Sequence, residues 1–121
     1  MAFRLPKTKA DLFGYDEKLS RPDRPVFYKD LEDGVLAEAN KDKTIFLDVS
    51  LKNKPKQAEY ATKHEDVHLE QFGRGDFDYT DDTVTWKGKT VARAEIQEGN
   101  KTLPWEQEAY ARVKKPKKNA K

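Results

Sequence analysis

His64 and His68 are the only histidines in the chain, and they stand four residues apart with Glu65 directly after the first. They sit inside a run of good helix formers, residues 56–72, that begins after Pro55 and ends at Gly73. Pro suits the first position of a helix and Gly its end, so the segment reads as one helix. A helix advances about 100° per residue, and positions i and i+4 therefore share a face on which two imidazoles can converge. Tyr60, Ala61 and Gln71 fall on the same stripe. This constrains the chain more than any other feature, because an imidazole turned inward without a partner is costly to bury. Whatever packs on this helix must satisfy two rings.

Hydrogen bonds within a core are one way to satisfy them. A metal is the other. The spacing is HExxH, in which the two histidines hold one zinc ion and the intervening glutamate takes a proton from water at the metal. A catalytic zinc keeps three protein ligands and one open position. The chain has no cysteine, so any further ligand must come from nitrogen or oxygen. A third ligand is offered near the C-terminus, where Pro104 opens a second helical segment with acidic residues in its first turn. Its packing stripe is Glu106, Ala109, Tyr110 and Val113, and a glutamate on such a stripe calls for a cation. Glu106 is the favoured ligand. Glu108 is the alternative, although it can pair with Arg112 at i, i+4.

Outside the helices the pattern changes to period two. Residues 44–51 alternate Ile45, Leu47, Val49 and Leu51 with Phe46, Asp48 and Ser50, the mark of a strand with one buried face. With residues 34–39 and the polar turn 40–43 they predict an antiparallel hairpin. Residues 25–28 are a further short strand. Residues 83–86 and 89–93 around Lys87-Gly88 predict a second hairpin. Residues 73–82, rich in Gly and Asp, read as a solvated acidic loop. The class is α+β, with a small antiparallel sheet packed on the HExxH helix and on a second, C-terminal helix. Residues 1–24 show no period and read as an extended arm with a short turn near residues 10–13. Residues 25–113 form the domain, and residues 114–121 are a basic tail expected to be disordered.

Three pieces, His64-Glu65-x-x-His68 with Gln71, Trp86-Lys-Gly-Lys89, and Leu103-Pro-Trp-Glu-Gln-Glu-Ala-Tyr110, resemble in order and distance the small HExxH metallopeptidases encoded by tailed bacteriophages and some bacteria. The likeness covers roughly residues 34–113. It implies a minimal, gluzincin-like zincin domain and a zinc-dependent hydrolase of peptides or proteins, with Glu65 as general base and His64, His68 and Glu106 as metal ligands. It also implies a sheet edge over the metal, assigned to residues 44–51, on which an extended peptide can pair, and a phenol near the oxyanion, for which Tyr110 and Tyr79 are candidates. Tyr110 stands where such proteins usually carry an aspartate that supports a ligating histidine. A non-catalytic virion structural or assembly protein of the same fold is the alternative, its arm and tail attaching to other virion proteins.

Composition adds limits. Lys and Arg number 24 against 22 Asp and Glu, a net charge of +2 that gives no case for nucleic-acid binding. No apolar run approaches the roughly 20 residues that cross a bilayer, and the first residues carry no secretory h-region. The expected location is the cytoplasm of the producing cell, or a phage virion. Mean hydropathy is −1.03, so the core must be small.

Overall fold

The computed structural model describes residues 14–97 and 100–113. Among these residues, six strands and two α-helices make an α+β domain: β1 (Val26–Lys29), β2 (Ala37–Ala39), β3 (Ile45–Asp48), α1 (Pro55–Arg74), β4 (Phe77–Tyr79), β5 (Thr83–Trp86), β6 (Lys89–Ala92) and α2 (Pro104–Arg112). The strands form two three-stranded sheets, ordered β1-β3-β2 and β4-β5-β6.

The hairpin predicted around residues 40–43 is present as β2 and β3, with Ala37 opposite Leu47 and Ala39 opposite Ile45. The first sheet is mixed, however, because β1 runs parallel to β3, Val26 against Ile45 and Tyr28 against Leu47. The expectation of a wholly antiparallel sheet is thus corrected, and so is the placing of residues 44–51 at the sheet edge. Ile45 and Leu47 have no exposed surface. Strand β3, the most apolar of the set, takes the centre, where both flanks are covered, and leaves β2 as the edge. It is also shorter than predicted. Asp48 ends it by accepting from the Ser50 N–H at 3.0 Å, which starts a 3-10 turn, Val49–Leu51, and from the Leu31 N–H at 3.0 Å.

Val26, Tyr28, Ile45, Leu47, Leu51 and Ala58 make the main core, in which the first sheet meets the N-terminal half of α1. Pro55 opens α1 as expected. The helix runs two residues past the predicted stop and ends at Gly75, whose φ of 83° lets its N–H reach the carbonyls of Gln71 and Phe72. Residues 73–82 are accordingly not a loop throughout. Phe77 and Tyr79 alternate with Asp78 in β4 and pair with Trp86 and Val84. In the second hairpin Lys87 and Gly88 both have positive φ, 49° and 85°, the two-residue turn whose twist matches the strands.

The described part of the N-terminal arm lies against β1. Tyr15 bridges Phe27, and the Tyr28 hydroxyl donates to Asp16 at 2.8 Å. The turn expected near residues 10–13 and the basic tail 114–121 lie outside the described residues. Among those residues, no helix is long and apolar enough to cross a membrane.

Candidate metal centre

Helix α1 passes between the first sheet and α2, and its inward face carries Ala58, Thr62, His64, Val67, His68 and Gln71. Asp66, between the two histidines in sequence, fixes the roll of that face. Its carboxylate lies 2.8 Å from Nε of the buried Arg24, which leads into β1, and burial raises its pKa against the opposing pull of Arg24 and Arg21. On the other side Val67 packs with Ala109 and Val113 of α2. Leu103 and Pro104 start α2 so that Glu106 falls in its first turn. That turn faces the histidines.

The Nε2 atoms of His64 and His68 lie 2.9 Å and 3.2 Å from the two oxygens of Glu106. All three side chains are buried, and their ligand atoms lie within 4.8 Å of one another. Neighbouring ligands of a tetrahedral zinc are separated by about 3.3 Å, since each bond is about 2.0–2.1 Å. The set therefore fits a metal ion in spacing and in donor type, two imidazole nitrogens and a carboxylate. Its electrostatics agree. Burial alone would raise the Glu106 carboxyl, but hydrogen bonds from both rings, and their charge, bring it down to about 2. Burial would likewise lower His68, but the bond to Glu106 and the charges of Glu65 and Glu106 raise it to about 9. A buried carboxylate so placed requires positive charge beside it, from protons or from a metal.

Glu65 is half-buried and opens on the same cleft. Burial raises its pKa, opposed by His68 and His64 and reinforced by Glu106 and by Glu38 of β2. The cleft, about 1330 Å³, runs from β2 across α1 to the second sheet and α2. Its aromatic side is continuous. Phe77 stacks on Phe72 and on Trp105 with ring centres 5.1 Å apart in each case, and it reaches His68 at 5.7 Å. The tryptophans of the second hairpin and of α2, Trp86 and Trp105, meet at 6.0 Å.

Of the residues singled out in the sequence, His64, His68, Glu106 and Glu65 come together. Glu108 does not join them. It points along α2 to Arg74 of α1, accepting at 2.8 Å and 3.0 Å, and to Arg112 at 3.4 Å. Tyr110 lies edge-on to His64 at 4.5 Å. Tyr79 packs on Phe72 instead, between Lys41 and Arg93. Two neighbours of the site were not given roles from the sequence. Tyr60 flanks His64 at 6.4 Å, one helical turn before it. Gln71 is wholly buried beside His68, and its i+3 position after that histidine was the available signal. Compared with known proteins, the chain matches no family model, no curated protein and no solved structure.

Proposed function

We propose that this chain is a zinc-dependent peptidase of the HExxH, gluzincin-like kind, and that it is phage-encoded. One observation carries the reading. Two histidines and a glutamate, brought from helices far apart in sequence, are buried at ligand spacing with a glutamate of raised pKa beside them on an open cleft. His64, His68 and Glu106 would hold the ion, and zinc suits this ligand set. Zinc bound there supplies a Lewis acid for the substrate carbonyl and lowers the pKa of water.

The protein's own groups do the rest. The raised pKa of Glu65 brings a carboxylate closer to the range in which it can both accept a proton from the attacking water and return it to the leaving amine. Among the described strands β2 pairs with β3 alone, and its residues line the cleft, which supports backbone pairing with an extended peptide. The Tyr110 phenol lies on the His64 side, where it can donate to the oxygen of the substrate carbonyl as negative charge develops.

Elemental analysis is the first test. Near-stoichiometric zinc in the wild type, lost in both His64→Ala and Glu106→Ala, is the expected result; a wild type that takes up no zinc after reconstitution ends this reading. A Glu65→Gln variant then separates enzyme from assembly protein. It should keep its metal and its fold but lose peptide hydrolysis. Full function of this variant in the producing organism would favour the virion structural alternative.

A further inference from the structure

We infer that Gln71 is a positioning residue that sets the tautomer of His68, and that it does so because Glu108 of the facing helix dictates which way its amide points. The inference rests on the metal-site reading above. Gln71 has no exposed surface. Its Nε2 lies 3.1 Å from the carbonyl of Trp105 and 2.8 Å from Oε1 of Glu108. Both partners are acceptors only, so that end of the amide must be the NH2 group. A flipped amide would set its oxygen against a carbonyl and a carboxylate with no proton between them. Glu108 is itself held by Arg74 through two hydrogen bonds.

With the amide so oriented, Oε1 is the atom 2.8 Å from Nδ1 of His68. It can only accept, so Nδ1 carries the proton. The neutral ring must then present its lone pair at Nε2, the atom that faces Glu106. Donor and acceptor arithmetic thus runs from Arg74 through Glu108 and Gln71 to the ligating nitrogen. Because Gln71 also holds the Trp105 carbonyl, in the turn next to Glu106, the same side chain ties the two ligand-bearing helices together. This supports His68 alone, because position 110 of α2 lies against His64. Metal-bound histidines commonly donate their second ring N–H in this way, and loss of such a partner costs tenfold to a hundredfold in metal affinity.

The test is long-range proton–nitrogen NMR of the ring nitrogens in the metal-free and zinc-loaded protein, beside zinc affinity measured by competition with a chromophoric chelator. Wild type should carry a proton on His68 Nδ1 in both states and bind zinc through Nε2. Gln71→Met, close in shape but lacking an acceptor, should lose the hydrogen-bonded Nδ1 proton signal and weaken zinc tenfold to a hundredfold. Glu108→Gln, at a more exposed position, releases the constraint on the amide and should weaken zinc by a smaller factor, with a weakened hydrogen-bonded Nδ1 proton signal. Ligation of His68 through Nδ1, or a Gln71→Met protein with unchanged affinity and ring signals, overturns the inference. Should Gln71→Met not fold, the wild-type ring signals and Glu108→Gln decide it. Should wild type bind no zinc, the proposed function fails, while the metal-free ring signals still decide whether Gln71 accepts from a protonated His68 Nδ1.

Discussion

The two three-stranded sheets are close in size and unlike in how they are held. In the first, Val26, Ile45 and Leu47 have no exposed surface, and the strands pack directly on α1. In the second, Val84 alone is buried, and β6 is largely open to solvent. Its attachment is aromatic, through the rings of Phe77 and Trp86 against Phe72 and Trp105. One sheet is the body of the domain and the other is a wall of the cleft. The difference teaches that a small chain with few apolar residues does not distribute them evenly. It completes one dry core and builds the functional face from rings and polar contacts.

The largest test of this contrast is Leu47→Ala. Deleting most of a fully buried leucine at the centre of the first sheet should cost about 2–5 kcal/mol, read as a fall in the midpoint of urea unfolding. Val84→Ala, the matching change in the second sheet, removes less apolar surface and should cost about 2 kcal/mol; an equal loss at the two positions would show a single cooperative core. Asp48→Asn comes next. It keeps a capping oxygen but removes its charge, so it should cost less than the roughly 1 kcal/mol of losing the cap altogether. Hydrogen bonds to Ser50 and the Leu31 N–H hold the Asp48 carboxyl below its ordinary 3.8. A depressed pKa contributes stability that is present above the ordinary value and lost as pH falls through the lowered one. The gap between wild type and Asp48→Asn should therefore be full at neutral pH and close on acidification, as followed by thermal unfolding across pH. Lys41→Ala should have the smallest effect. Lys41 joins the turn of the first hairpin to β4, 2.8 Å from Asp78 and 2.7 Å from the Tyr79 carbonyl, and exposed pairs of this kind contribute little. Its loss should appear as faster amide exchange in β4 with exchange in β3 unchanged.

The parts of the fold carried by period and punctuation were legible in the sequence. Pro55 and Pro104 begin the helices, Lys87-Gly88 turns the second hairpin, and the alternation around Ile45 and Leu47 gives the buried face of β3. The parallel partner of β3 was not legible, because pairing between distant strands leaves no local signal in a four-residue segment such as β1. Strand β4 was hidden by its setting. Three residues between Gly75 and two consecutive aspartates look like a loop until Phe77 is seen on Phe72 and Trp105. In the site, HExxH spacing located His64, Glu65 and His68, and the helical stripe selected Glu106 over Glu108. The bonds of Gln71 were out of reach, since they depend on how α2 lies across α1, and i+3 spacing alone does not say whether a glutamine turns to its own helix or to solvent.

His64 and Glu106 touch although they are 42 residues apart in the chain, and the whole of the second sheet lies within that interval. An ion gripping both ends would act as a removable cross-link on a closed loop. By the chain-entropy relation for cross-links, a loop of 42 residues loses about 4 kcal/mol worth of unfolded-state freedom. The first sheet lies outside the loop and feels the closure only through α1. Chelation would therefore act unequally along the molecule, lowering the resistance of α2 and the cleft wall to unfolding more than that of β1, β2 and β3.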